Sequence, residues 1–320
     1  MAVSKVFSVL TGCLVLVSIP VQAQDSVNVY GVLDTGYATR WGSGQRSASM
    51  FSTNSYLGLK GEEDLAKGLT AFFDLQMPFD VTSGRSKGAL FERKAVLGLK
   101  NYAWGSMSVG RQYTVLDDLF ASFDPFYQTR LSLGETLDPS VAYASDATFK
   151  YMTPDVNGFQ MAWSWSGREK ENGVTTRGSR SIGIHYEQSG WLASLAYQED
   201  LSGFMHAWYL GLGYDFDVVK LTALYSKGRT PRTSLLDAVD DWQSGKTWLV
   251  GLEWRLDERQ SLKFAYADTL KTQYRIQQYQ VSYQQSLSKH ISVYVDGDYR
   301  RMNTPHRHST GLGVGMKYRF

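Results

Sequence analysis

The chain has 320 residues, a formal net charge of +2, 43% apolar and 14% aromatic residues, and a single cysteine. A charge so close to balance, with no basic stripe, argues against nucleic acid as a partner, and one cysteine excludes a disulfide framework. With 20 Tyr, 15 Phe and 9 Trp against only 7 Pro, the composition suits a chain made mostly of strands. The length allows two soluble domains or one large β structure.

Residues 1–23 read as a secretory signal. Lys5 opens it, an apolar stretch runs to Ile19, and Val21-Gln22-Ala23 precede Gln24. The stretch is short of the ~20 residues a membrane helix needs. Leu10-Thr11-Gly12-Cys13 resembles a lipobox, but the apolar run continues past Cys13. Cleavage after Ala23 is the better reading, and the only cysteine leaves with the signal. Residues 24–320 are then expected to form one domain. No later stretch reaches the ~18 consecutive apolar residues of a spanning helix.

From there the pattern is alternation. Val27, Val29 and Leu33 oppose Asn28, Tyr30 and Asp34; Leu57 and Leu59 oppose Tyr56, Gly58 and Lys60. The same period of two recurs from Leu69 to Met77, Phe159 to Trp165, Trp191 to Tyr197 and Trp208 to Tyr214. It continues from Trp248 to Leu256, Leu262 to Tyr266, Ile291 to Tyr299 and Gly311 to the terminal Phe320. Such alternation predicts strands with one apolar and one polar face. About sixteen segments can be placed, each near the 9–11 residues of a tilted membrane strand. Short links at 154–158, 188–190, 215–217, 256–259 and 286–289 alternate with longer polar ones near 40–50, 81–88, 167–178, 228–243 and 301–308. A soluble β-sandwich also alternates. Here, however, Trp, Tyr and Phe crowd one face near strand ends while Asp, Lys, Arg, Gln and Gly fill the other, as a membrane barrel with a wet lumen requires.

FSTNSYLGLKGEEDLAKGLTAFFDLQ (51–76) resembles the second and third strands of the general trimeric porins of Gram-negative outer membranes, of the beta-proteobacterial and Neisserial type. FERKAVLGLKNYAWGSMSVGRQYTVLDD (91–118) is similar to the next hairpin of that family with its GRQ signature. VNVYGVLDTGY, TFKYMTPDVNGF and the terminal KYRF add to the likeness. The resemblance implies an all-β fold, a sixteen-stranded antiparallel transmembrane β-barrel with a pore-constricting third loop. It also implies a homotrimer passing small hydrophilic solutes by passive diffusion. Its partners would be outer-membrane lipid and lipopolysaccharide, and the assembly machinery that reads the last strand through Tyr318 and Phe320.

The link at 113–140 is long enough to be functional. Leu116, Leu119, Phe120 and Phe123 have helical spacing, beginning beside Asp117 and Asp118, so a short amphipathic helix is expected. By resemblance this link is the third loop, offering Asp117, Asp118, Asp124, Glu135 and Asp138 to the lumen. The basic wall opposite would be Arg93, Lys94, Arg111 and Lys150. Parity turns Lys94 and Lys150 inward; Arg111 shares the parity of Met107 and Val109 and points outward unless a bulge at Gly110 intervenes. Tyr56 and Ala144-Ser145 stand where the family often carries Arg, which weakens the expectation of strong anion selectivity.

A solute-specific channel for a small anionic or polar nutrient and a structural or adhesive barrel are the remaining readings. Gly84-Arg85-Ser86-Lys87-Gly88 fits G-x-S-x-G but lacks the strand–elbow–helix context of a nucleophile. The five histidines form no catalytic spacing, and His306-Arg307-His308 and the Asp237, Asp240, Asp241 cluster read as solvated loops. No cofactor or metal is expected.

Overall fold

The computed structural model describes residues 26–42, 45–127, 129–131, 144–167, 170–171, 174–175, 178–201, 205–231, 242–272, 274–303 and 306–320. The leader and the loop acids Glu135 and Asp138 lie outside them. The chain begins with β1 (Ser26–Gly42), β2 (Gln45–Ser52), β3 (Tyr56–Ala66), β4 (Leu69–Pro78), β5 (Lys94–Asn101) and β6 (Gly105–Tyr113). A helix α1 (Val115–Phe120) precedes β7 (Ala144–Met152) and β8 (Phe159–Ser166). A small separate hairpin pairs β9 (Lys170–Glu171) with β10 (Val174–Thr175). Then come β11 (Ser179–Gln188), β12 (Trp191–Asp200), β13 (His206–Asp215), β14 (Val219–Pro231) and β15 (Trp242–Arg255). The chain ends with β16 (Gln260–Lys271), β17 (Arg275–Ser286), β18 (Ile291–Asn303) and β19 (His306–Arg319).

Seventeen of these strands form one antiparallel sheet in which sequential neighbours pair and β8 joins β11. β2 and β3 run along the same edge of β1, interrupted at Thr53-Asn54-Ser55, where Asn54 takes φ 52°. They make one broken stave, so the barrel has sixteen. Closure comes where β1 pairs β19, from Val32↔Arg319 to Trp41↔Thr310. One step below, Phe320 and Gly31 exchange both backbone hydrogen bonds, at 3.0 and 3.2 Å. An open edge in hydrocarbon would leave these groups unsatisfied, so the ladder must meet itself.

The faces are inverted relative to a soluble protein. Trp163, Trp208, Val250, Leu212 and Val314 stand exposed on the outside, while Gln198, Thr247, Thr269 and Asp298 are buried within. Tight turns mark one rim: Asn157 and Gly158 adopt φ 54° and 83°, the left-handed pair a two-residue hairpin turn needs. The longer links gather at the other rim. Two of the links expected to be loops, 40–50 and 301–308, are largely strand among their described residues: β1 runs to Gly42 with β2 from Gln45, and β18 runs to Asn303 with β19 from His306. Polar residues there continue the ladder beyond the apolar band, because backbone pairing needs no apolar face.

Candidate functional site

Thr114 ends β6's path and starts α1. Its hydroxyl accepts from the Asp117 N–H at 3.3 Å, and Asp117 and Asp118 sit in the first turn, where carboxylates favour a helix N-terminus. Six residues do not hold a helix alone; α1 is held by the barrel's inner wall. The Val115 N–H donates to Ser181 Oγ at 3.2 Å on β11, and a Cβ at Gly183 would lie 2.5 Å from Leu119. Farther on, Phe123 fills the place of a side chain at Gly211 of β13, and its carbonyl accepts from Thr222 Oγ1 of β14 at 2.8 Å. Pro125 lies over Gly251 of β15. The Leu131 carbonyl accepts from Gln280 of β17. Arg130, over Gly313 of β19, reaches Asp296 and Asp298 of β18 at 3.5 Å each. Residues 114–127 and 129–131 therefore follow the inside of the barrel from β11 to β19, where Leu116, Phe120 and Phe123 build an apolar cluster with Leu192, Leu224 and Leu249.

The structure distributes the sequence-derived site residues unequally. Lys150, on β7, reaches Asp118 at 2.6 Å, so wall and loop do meet there. Lys94 pairs at 2.8 Å with Asp74, which is on the neighbouring strand β4 and also accepts from the Tyr30 hydroxyl. Arg93 lies 4.4 Å over the Tyr56 ring and 5.6 Å from that of Tyr113, and donates to Gln76 Oε1 at 2.7 Å and to Asn54. Tyr56, the departure from the family's Arg, thus serves as a platform for another arginine.

Arg111 lies at a register shift between Gly110 and Gln112. Its guanidinium binds Glu92 Oε1 at 2.7 Å and Asp146 Oδ1 at 2.6 Å, so among the described residues its acid partners flank the strand ends and are not those of the loop. Asp124 is buried and accepts the Phe126 N–H at 2.8 Å, closing its own turn. Asp117 accepts from the Tyr127 hydroxyl at 2.5 Å. Burial beneath the loop pushes its carboxyl up to about 7, and the nearby Asp118 adds to the rise.

Sequence reasoning missed the wall acids. Asp74 stands directly across from Lys60 in the ladder and Asp34 binds Lys317 at 2.9 Å. Both show inward parity in the sequence, but their partners depend on register between strands. Arg130 carried no pattern signal. The Ser86 hydroxyl of the G-x-S-x-G match donates to the Gly88 carbonyl at 2.9 Å in an exposed loop, with no base in reach among the described contacts.

A closed sixteen-stave barrel, oily outside and polar inside, with a chain segment laid along its inner wall, defines a transmembrane channel of the outer-membrane type. The chain belongs to the Gram-negative porin family, whose model matches residues 10–305. It is 26% identical to an outer membrane porin protein of Bordetella pertussis, over 93% of this chain and 95% of that one. Among solved structures it is similar to the anion-selective porin from Comamonas acidovorans, with TM-score 0.79 and 21% identity, covering 93% and 100% of the two chains. It is also similar to the trimer form of OmpT from Vibrio cholerae, with TM-score 0.70 and 12% identity, covering 92% and 99%. The protein is an outer-membrane porin.

Proposed function

We propose that this porin is a general diffusion channel whose narrowest point lies between residues 114–131 and the wall carrying Lys94, Arg93 and Lys150. The observation that carries this is the Lys150–Asp118 pair, which ties the start of the loop to β7 inside the barrel, while the apolar cluster holds the loop to β12, β14 and β15. Lys94 with Asp74, and Lys150 with Asp118, place compensated charge in a passage of low effective dielectric. Such a passage orders water and admits polar solutes of either sign, while apolar solutes must displace that water. The reading includes export by the leader, assembly through the Tyr318–Phe320 end, a homotrimer, contact with outer-membrane lipid and lipopolysaccharide, and no catalysis.

Liposome swelling tests it. Sugars, amino acids and organic acids of graded size should enter at rates ordered by size. One solute entering far faster than smaller ones would favour the solute-specific reading, for which the aromatic-flanked Arg93 is the candidate contact.

A further inference from the structure

The segment laid along the inner wall leaves a cavity of about 240 Å³ between itself and β14–β16. Ser122, Pro125 and Tyr127 roof it, and Lys220, Glu253 and Lys263 form its floor. The wall residues lie two positions nearer the short turns than Thr222 and Gly251, which carry Phe123 and Pro125, and than the buried Ala265. They therefore share the inward face, and the Lys263 ammonium donates to the Pro125 carbonyl at 3.4 Å. The volume is below the ~300 Å³ at which drug-sized sites begin, so the cavity suits a small solute.

In the ladder Asp215, Lys220, Glu253 and Lys263 stand directly opposite one another on successive strands, a row of alternating charge. Its pairing is incomplete. Arg255 takes both oxygens of Asp215, at 2.7 and 2.8 Å. Glu253 is drawn to Lys263, at 3.7 Å. Lys220 is left with no ion pair among the described residues, although an acid flanks it on each side in the ladder. Opposite charges on directly facing strand positions, with Cβ atoms about 5 Å apart, are well placed to pair. Lys220 and Glu253 instead stand as an open pair with a cavity above it. Asp124 borders the same cavity, its carboxylate accepting the Phe126 N–H at 2.8 Å.

We infer that this cavity is a binding subsite for a small zwitterion of the α-amino acid type. The carboxylate of the solute lies against the Lys220 ammonium and the Ser122 hydroxyl, and its α-ammonium against Glu253. An α-amino acid holds its two charges one carbon apart, the complement of a lysine and a glutamate facing each other across adjacent strands. A lone carboxylate engages Lys220 but repels Glu253, and a lone cation does the reverse. Only the zwitterion engages both without adding net charge where the effective dielectric is low. The site rests on the channel reading for the delivery of solute to the lumen, and not for binding itself.

Saturation-transfer NMR on the purified, detergent-solubilised protein tests this, with alanine, propionate, alaninamide and glycerol as probes of similar size. Alanine should bind saturably and about tenfold more tightly than the other three, since each of them lacks at least one charge-assisted contact. Lys220→Met, which keeps the aliphatic stem, and Glu253→Gln should each weaken alanine by about tenfold, whereas Lys220→Arg should retain it. Circular dichroism should show the barrel folded in all three variants, because these side chains take no part in the ladder hydrogen bonds. Propionate binding as tightly as alanine would overturn the zwitterion site. So would alanine affinity that is unchanged in both Lys220→Met and Glu253→Gln, or an absence of saturable binding to the folded wild type. Unitary conductance of the wild type keeps the two readings apart. Conductance steps without alanine binding sink the subsite and leave the channel standing; alanine binding without steps does the opposite.

Discussion

Replacing Lys94 and Lys150 together by glutamate should turn the channel toward cations, with the reversal potential in a salt gradient moving to the cation side. Each lysine now faces one carboxylate, Asp74 at 2.8 Å and Asp118 at 2.6 Å. The double reversal leaves two acid pairs where there were two neutral ones. A unit charge ~4 Å away is worth about 1 kcal/mol in water and more in a narrow passage, so the permeability ratio should change by about fivefold or more. Asp74→Asn should move the ratio the opposite way, because it uncovers Lys94. Unchanged reversal potentials in both variants would contradict the placement of these pairs at the narrow point.

The same recording carries a pH term. The Asp117 carboxyl, raised to about 7 by burial, is neutral below that pH and charged above it. Raising pH from 6 to 8 therefore adds one negative charge beside Lys150, and cation preference should grow over that interval. In Asp117→Asn the step should vanish.

Gly211→Val should lower unitary conductance and raise open-channel noise. A Cβ at position 211 would sit 2.5 Å from the Phe123 ring, and a branched side chain needs still more of the space that ring occupies. Real Cβ contacts do not approach this closely, and a packed ring cannot yield by rotation alone. The loop must leave the wall, and the lumen is the only space available to it. Barrel hydrogen bonding does not involve this side chain, so circular dichroism and resistance to unfolding in detergent should stay near wild type. Conductance equal to wild type, with the barrel intact, would mean that residues 114–131 do not narrow the passage.

Much of this architecture was legible in the sequence because a membrane barrel writes its two faces into every strand. Gly311 to Phe320 alternates without a break, and the structure pairs it with β1 as the alternation requires. The spacing of Leu116, Leu119 and Phe120 likewise marked α1. Register is what the sequence did not show. Lys94 was expected to look across at loop acids, yet its partner Asp74 sits on the next strand. For Arg111 the sequence left the direction open, to be decided by a bulge at Gly110; the register does shift between Gly110 and Gln112, at a place where Ala147 on the partner strand takes φ 44°. The wall glycines could not be interpreted alone: Gly211, Gly251 and Gly313 acquire meaning only when Phe123, Pro125 and Arg130 are seen lying on them. Asp124 was offered to the lumen by resemblance, whereas the structure gives its carboxylate to the Phe126 N–H.

Single-channel recording of the wild-type protein in a planar bilayer is the measurement that most directly tests whether this barrel is an open, water-filled conduit. Discrete, long-lived steps whose size rises in proportion to bulk salt are the expected result. A reconstituted, folded protein that yields no steps, or a conductance that saturates at low salt, would contradict it.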